Sequence, residues 1–217
     1  DVGCSSGYFL HLMEKYVKKR VGIEFNKNDI AFIKKNLSFD VYDKSIENTN
    51  LPNEYFDLIT SFHVLEHISD PRAFLNNIRS FLKKDGHLII EVPNLNDSLM
   101  SVYNNKEYAD FWYRDPHLFN FTISSLKKLL NQSGFDGEFQ TIQRYNVINH
   151  INWILNGKPQ KSADLGMLKP DLISDKVDNE TKKAFDGFFN KFNDEYKKLL
   201  NDNKLGDSIL FIGKKIF

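Results

Sequence analysis

The sequence is poor in several features that would each point to a particular class of protein. Its 217 residues include a single cysteine, Cys4, which excludes an internal disulfide framework and a zinc site built from several cysteines. No apolar run approaches the roughly 20 residues that a membrane-spanning helix needs, and no signal peptide is visible. Lysine and arginine together number 29, as do aspartate and glutamate, and only 5 of the basic residues are arginine. We therefore expect a cytoplasmic protein that binds neither nucleic acid nor membranes.

The residues that are present favour one well-packed domain. Apolar residues make up 41% of the chain and aromatic residues 14%, including 19 phenylalanines, so a sizeable core is expected. The chain opens on Asp1 rather than on methionine, in what reads as the end of a strand, and we expect its N-terminus to lie upstream. We expect residues 1–217 to form a single domain.

Hydrophobic periodicity alternates between strand and helix along the chain, which predicts a doubly wound α/β sheet with helices on both faces. Residues 149–179 contain several glycines and prolines and read as irregular, so 147–180 is the candidate for an inserted lid that binds a substrate. The predicted strands are 20–24, 39–46, 56–62, 87–92, 137–146 and 207–215, and the predicted helices are 8–17, 26–36, 69–82, 122–132 and 180–200.

A glycine-bearing turn between the first strand and the first helix is the most informative segment. It runs from Gly3 to Gly7 with Ser5 at its centre, and such a turn lets the backbone approach a ligand closely. Glu24 follows Gly3 by 21 residues, at the end of the second strand. An acid at that place accepts hydrogen bonds from a ribose diol in nucleotide-binding folds of this type.

Three other interpretations of the turn remain open. A dinucleotide site would require glycines where Ser5 and Tyr8 stand, so pyrophosphate binding is disfavoured. The same residues match G-x-S-x-G, the nucleophile elbow of α/β-hydrolases, with Ser5 as the nucleophile. That interpretation does not explain Glu24. A turn that binds no ligand is the third alternative.

The residues also resemble a known family. The segment from Asp1 to Gly7 resembles the first motif of class I S-adenosylmethionine-dependent methyltransferases, with Ser5 in place of the middle glycine, and Glu24 matches the ribose-binding acid of that family. Residues 56–71, FDLITSFHVLEHISDP, resemble the fourth-strand motif and the L-E-H-x-x-D-P stretch of the small-molecule branch. Residues 81–90 resemble the turn before the fifth strand. The resemblance covers about residues 1–93 and resumes at 207–215.

This resemblance implies a Rossmann-like, seven-stranded, mostly parallel sheet with an antiparallel last strand. It also implies S-adenosylmethionine as cofactor and S-adenosylhomocysteine as product. Glu24 is expected to hold the ribose hydroxyls, and Phe25 and Ile46 to flank adenine. The cofactor-binding residues that it implies are Asp1, Gly3, Cys4, Ser5, Gly7, Tyr8, Glu24, Phe25, Ser45, Ile46, Phe62 and His63.

His63 and His67 form an H-x-x-E-H pattern, which is also the inverted zinc-peptidase motif. On a helix the two histidines would share one face and could ligate zinc. A strand leads directly into the motif, however, and Pro71 follows it within a turn. We therefore expect no metal site.

An aromatic stretch at 111–122 resembles the E-H-L-x-x-F-S segment of methyltransferases in sugar and polyketide pathways. Asp115, Pro116 and His117 stand where that segment has its Glu-His pair, and this makes His117 the candidate general base. The resemblance implies a small polar acceptor, such as a sugar or a nucleotide-linked sugar. The expected acceptor-binding residues are Trp112, Tyr113, His150 and Trp153. A cofactor-binding partner protein without transferase activity is the alternative, and the oligomeric state is open.

Overall fold

Strands and helices alternate along the chain in the computed structural model, which describes residues 1–113 and 117–216. Short 3-10 turns occur at Met13–Lys15, Ile46–Asn48 and Leu65–His67. In chain order the elements are α1 (Tyr8–Leu12), β1 (Val21–Ile23), α2 (Lys27–Asn36), β2 (Asp40–Tyr42), β3 (Phe56–Phe62), α3 (Pro71–Phe81), β4 (Leu82–Pro93), α4 (Ser98–Ser101), α5 (Lys106–Trp112), α6 (Ile123–Gln132), β5 (Phe135–Ile142), α7 (Val147–Asn156), α8 (Ala163–Met167), α9 (Asn179–Asp202) and β6 (Ser208–Lys215).

The chain forms two compact units. Unit 1 comprises Asp1–Val92, Leu118–Phe139 and the residues from Leu210 onward. Unit 2 comprises Pro93–His117 and Gln140–Ile209. Within the described ranges, no helix is both long enough and apolar enough to cross a lipid bilayer.

The strands belong to two sheets. In the smaller sheet β1 pairs with β2 in parallel, and in the larger mixed sheet the order is β3-β4-β6-β5, with β3 parallel to β4. The first residues of the chain lie between them: Val2 forms a parallel bridge with Ile23 and donates its N–H to the carbonyl of Thr60 over 2.8 Å. The described residues therefore form six strands rather than the predicted seven, because Val2 contributes a single bridge where a strand was expected.

Helix α3 shows why the periodicity predicted the helices well. Asp70 caps it by accepting a 2.9 Å hydrogen bond from the N–H of Ala73, and Pro71 occupies the first turn, where its missing N–H costs nothing. Its apolar side chains recur at helical spacing and face the core of unit 1. The buried residues of this helix are Pro71, Phe74, Leu75, Ile78 and Phe81.

Several boundaries differ from the predictions. Strand β4 spans Leu82–Pro93 rather than 87–92, and β5 spans Phe135–Ile142 rather than 137–146. Helix α1 ends at Leu12 because the chain tightens into a 3-10 turn, and β2 covers only the first half of its predicted strand. Residues 149–179, expected to be irregular, contain most of α7 and all of α8. Helix α7 has ordinary end signals, an Asn146 cap and Gly157 in the left-handed conformation with φ of 62°. The surrounding glycines and prolines obscured these signals in the sequence.

Unit 2 has a core of its own where α4, α5 and α7 meet. Leu99, Tyr108 and Trp153 are buried together, and Met100 and Trp112 pack against them. The ring of Trp153 meets Tyr108 edge-on, with 5.1 Å between ring centroids. These contacts explain why an apparently irregular segment is helical, since burying aromatic faces stabilises elements of low intrinsic propensity.

Candidate functional site

A cavity of about 730 Å³ lies in unit 1 at the carboxyl ends of its parallel strands. Ligand sites in open α/β sheets occur at this edge, and the volume falls within the range of about 300–1,000 Å³ usual for small-molecule pockets. The cavity is lined by residues of the glycine turn, the ends of β1 and β3, the turn after β2 and the start of α3. These are Val2, Gly3, Ser5, Ile23, Glu24, Phe25, Ser45, Ile46, Glu47, Phe62, His63, Val64, His67, Ile68, Ser69, Asp70, Ala73, Phe74 and Asn77.

The glycine turn has the tight backbone that its sequence predicts. Gly3 and Gly7 have φ of 78° and 77°, a left-handed conformation that disfavours other residues. Space is lacking as well, since a Cβ on Gly3 would lie 2.3 Å from Cγ2 of Val64 and one on Gly7 2.6 Å from Phe39. The turn can therefore approach a ligand only while these positions remain glycine.

The carboxylate of Glu24 ties the glycine turn to the start of α2. One oxygen accepts a hydrogen bond from the N–H of Ser5 over 2.7 Å. The other accepts from the N–H groups of Phe25 and Asn26, over 2.7 and 2.8 Å. The acid predicted to bind ribose thus also orders the two loops that form this side of the cavity.

Two apolar residues of the cavity wall, Phe25 and Ile46, differ strongly in their exposure to solvent. Phe25 is 63% exposed, whereas Ile46 in the turn after β2 is only 3% exposed. Ser45 and Glu47 flank Ile46 on the same wall. The arrangement can accept a flat, apolar ring with polar groups at its edge.

His63 follows directly after β3 and has a φ of 55°, a conformation uncommon for residues other than glycine. Its Nε2 lies 3.2 Å from Oε1 of Glu91, and its Nδ1 lies 3.6 Å from Oε1 of Glu66. Burial lowers the pKa of His63, but the adjacent carboxylates of Glu66 and Glu91 outweigh that effect and raise the pKa to about 9. His63 is therefore a cation at neutral pH and cannot accept a proton there.

The H-x-x-E-H stretch does not form the helix that a zinc peptidase requires. Phe62 ends β3, His63 is left-handed, and only a 3-10 turn at Leu65–His67 follows. The backbone carbonyl of Glu66 instead accepts hydrogen bonds from the N–H groups of residues 118 and 119. These bonds hold residues 118 and 119 against the loop between β3 and α3.

Four predicted cofactor residues do not line the cavity. Asp1 accepts a 2.7 Å hydrogen bond from the hydroxyl of Thr60, while Gly7 and Tyr8 continue into α1. Cys4 packs into the core of unit 1, where burial raises the pKa of its thiol to about 11. The thiol is consequently protonated and is not a nucleophile. Contact of these four residues with a ligand stays a prediction.

The residues predicted for the acceptor all belong to unit 2. Trp112 ends α5, and its ring meets the ring of His117 edge-on with 6.0 Å between centroids. Tyr113 is exposed. Asp115 and Pro116, expected beside His117, lie outside the described residues.

His150 and Trp153 are buried within unit 2 rather than exposed on a lid. The amide of Gln143 donates to Nε2 of His150 over 2.9 Å, so the proton resides on Nδ1, which donates to the hydroxyl of Tyr196 over 2.9 Å. Burial lowers the pKa of His150 to about 4 and keeps the ring neutral. The side chain thus has protein partners of its own, and its contact with an acceptor stays a prediction.

Sequence reasoning missed the part of the cavity wall that α3 and the preceding turn supply. The signal was present in the L-E-H-x-x-D-P stretch, which was used to recognise the family and not to identify residues of the cavity. The missed residues are Val64, His67, Ile68, Ser69, Asp70, Ala73, Phe74 and Asn77.

Comparisons with known proteins match the part of the chain that contains the cavity residues. Residues 1–138 match the model of the methyltransferase domain family. A ubiquinone biosynthesis O-methyltransferase of Rhodopseudomonas palustris is 26% identical over 141 residues, which cover 61% of this chain and 55% of that protein. The uncharacterized methyltransferase YcgJ of Bacillus subtilis is 24% identical over 170 residues, covering 72% of this chain and 64% of that one. The chain spans about half to two thirds of the length of these relatives.

Solved structures show the same fold. A S-adenosylmethionine-dependent methyltransferase from Archaeoglobus fulgidus superposes with a TM-score of 0.61 at 21% identity, covering 99% of this chain and 84% of that one. A putative methyltransferase from Bacillus halodurans gives a TM-score of 0.60 at 20% identity, covering 100% and 91%. The family model disfavours the hydrolase and dinucleotide interpretations of the glycine turn. The chain belongs to the methyltransferase domain family, whose S-adenosylmethionine-dependent members share its Rossmann-like fold, and S-adenosylmethionine is the cofactor that this membership implies.

Proposed function

We propose that this chain transfers a methyl group from S-adenosylmethionine to a small polar acceptor. The observation that carries the proposal is the cavity of unit 1, where the glycine turn and Glu24 stand at the carboxyl ends of adjoining strands. Family membership supports the cofactor, and the names of the relatives favour an oxygen as the atom methylated.

The residues present fit the cofactor. An ionised carboxylate offers about four lone-pair directions, and Glu24 uses three of them on backbone N–H groups. One direction remains for a ribose hydroxyl, on the oxygen that also accepts from Ser5. Phe25 and Ile46 supply apolar surfaces for adenine, and Ser45 and Glu47 supply polar groups beside them.

The chain's own groups would then orient the reactants and move one proton. When bound, S-adenosylmethionine supplies an activated methyl group, so positioning accounts for much of the rate. An acceptor hydroxyl must still lose its proton. His117 is the proposed base, because histidine titrates near neutral pH and His63 is held protonated by its glutamate partners.

The class of acceptor is proposed from two sources. The resemblance of residues 111–122 to enzymes of sugar pathways supports a sugar or a nucleotide-linked sugar. The ubiquinone biosynthesis relatives instead carry the name of O-methyltransferases of a quinone pathway. We propose that 147–180, together with Trp112 and Tyr113, contributes to binding the acceptor.

Titration calorimetry with S-adenosylmethionine tests the proposal most directly. Glu24→Gln should weaken binding by about 1–3 kcal/mol, the scale of a lost hydrogen bond to a charged group. Glu138→Gln is the matched control, since Glu138 is exposed on β5. Thermal unfolding of both variants separates loss of binding from loss of the folded turn. Absence of binding to the folded wild-type protein would overturn the proposal.

A panel of sugar, nucleotide-sugar and phenolic acceptors then decides between the enzyme and a non-catalytic partner protein. Methylation of one acceptor class that increases with enzyme concentration supports the transferase. Tight cofactor binding without transfer to any hydroxyl in the panel would favour the partner protein. Ester hydrolysis that disappears in Ser5→Ala would instead favour the hydrolase.

A further inference from the structure

Helix α3 lines the cavity of unit 1 along one stripe. Asp70, Ala73, Phe74 and Asn77 all belong to the cavity wall, and their spacing of three, four and seven residues places them on one face of the helix. Asp70 is the N-cap, which accepts a hydrogen bond from the N–H of Ala73 over 2.9 Å, and Phe74 is buried. Asn77 is therefore the polar side chain that the body of this helix contributes to the cavity.

The side-chain amide of Asn77 is available to a ligand. Asn77 is half-buried, and among the described residues its amide has no hydrogen-bond partner, while its backbone carbonyl accepts from the hydroxyl of Ser80 over 2.7 Å. Asn36 and Asn152 show another arrangement, since each donates to the carbonyl four residues earlier in its own helix. Asn77 makes no such bond with Ala73. An amide with two N–H donors and an acceptor oxygen is satisfied best by a ligand that supplies both kinds of group.

The turn expected to flank adenine packs directly against α3. Residues 46–48 form a 3-10 turn that contacts this helix, and Ile46 and Phe74 are 3% and 5% exposed. Both residues line the cavity. Apolar contact of this kind holds the face of a ring but does not distinguish one purine from another, because purines differ in the groups at their edges. A polar side chain beside the ring must therefore supply the choice of base.

We propose that Asn77 recognises the 6-amino group of the adenine ring of the cofactor. This inference rests on the proposed function. Oδ1 of Asn77 accepts a hydrogen bond from the amine, and the amide N–H donates to the adjacent ring nitrogen. Adenine has a donor beside an acceptor at that edge, and the carboxamide of asparagine is its complement, the pairing by which asparagine reads adenine in nucleic acids. Asn77 thereby determines specificity and takes no part in moving the methyl group.

A cycle that changes the ligand and the protein in turn tests the inference. S-adenosylhomocysteine and its analogue without the 6-amino group are titrated by calorimetry into wild type and into Asn77→Ala. Wild type should bind the analogue about 3- to 10-fold more weakly, the value of one neutral hydrogen bond, whereas Asn77→Ala should bind the two ligands within about twofold of each other. Alanine is the better helix former, so the variant is expected to remain folded. Asn76→Ala is the matched control, since Asn76 is the exposed neighbour on α3 outside the cavity wall.

Equal discrimination between the two ligands by wild type and Asn77→Ala would overturn the inference. A variant that binds both ligands more weakly by the same factor would show that Asn77 only shapes the cavity, and this too overturns it. Glu47 also lines the cavity, so discrimination that survives in Asn77→Ala and disappears in Glu47→Ala would assign the recognition to the turn after β2 instead. If the folded wild-type protein binds neither S-adenosylmethionine nor S-adenosylhomocysteine, the proposed function itself is overturned, and this inference with it.

Discussion

The hydroxyl of Tyr108 donates a 2.5 Å hydrogen bond to Oδ2 of Asp97, and both side chains are buried in unit 2. Oδ1 of the same carboxylate accepts from the N–H of Leu99 over 2.6 Å at the start of α4. Burial nevertheless outweighs these hydrogen bonds and raises the pKa of Asp97 to about 6. This carboxyl group therefore prefers to be protonated in the folded protein over pH values at which it is ionised in the unfolded chain.

The first prediction concerns the pH dependence that follows from Asp97. Because its pKa is raised on folding, the stabilisation is present below about pH 4 and is lost as the pH rises through about 6. We expect the stability of wild type relative to Asp97→Asn to fall by about 3 kcal/mol over that interval. Urea unfolding followed by tryptophan fluorescence measures this, since both tryptophans, Trp112 and Trp153, lie in unit 2. Asp110 is exposed on α5, so the stability of wild type relative to Asp110→Asn should not change over the same pH interval.

The second prediction concerns His150, for which stability depends on pH in the opposite direction. Its pKa is lowered to about 4 by burial, so the neutral ring contributes stability above about pH 6.5 that is lost as the pH falls towards 4. His150→Gln should be less stable than wild type at neutral pH and should lose less stability on acidification. The same fluorescence assay measures the effect. Equal acid sensitivity of the two proteins would contradict a buried neutral histidine.

The third prediction compares two glycines. Gly3→Ala places a Cβ against Val64 at a positive φ, so we expect it to lower the melting temperature and to abolish binding in the cavity. Gly187→Ala is the matched control, since a Cβ added at Gly187 in α9 would meet no atom within 4 Å outside its chain neighbours and the backbone of its own helix. That change should raise stability by about 1 kcal/mol, because alanine is the better helix former. Differential scanning calorimetry tests both variants. Tolerance of Gly3→Ala would show that the turn is not constrained as described.

The fourth prediction concerns His117 as the base. His117→Gln should reduce methyl transfer at saturating substrates by at least about 100-fold, the usual loss when a general base is removed. Calorimetric affinity for S-adenosylmethionine should stay within twofold of wild type, which distinguishes lost chemistry from lost binding. His87→Gln, at an exposed position of β4, serves as the control. Undiminished transfer by His117→Gln would remove His117 from the mechanism.

Much of the fold followed from local signals. The limits of β3 match the predicted strand, and α3 begins at the predicted Asp70–Pro71 signal, because short apolar runs and helix caps are local features of the sequence. Residues 149–179 were misinterpreted because helix α7 depends on aromatic contacts from distant segments. Tyr108 and Trp153 are 45 residues apart, and no local pattern indicates that they meet.

The sequence by itself identified several residues that line the cavity of unit 1. Gly3, Ser5 and Glu24 were identified from spacing, because parallel strands place their carboxyl ends along one edge of a sheet and every ligand-binding turn is attached to such an end. The tertiary structure decided how those residues are used. It gave Glu24 three backbone donors, turned Cys4 into the core and enclosed His150 in unit 2. It also set Glu66 and Glu91 on either side of one imidazole ring, a contact that joins residues 25 positions apart and depends on the pairing of β3 with β4.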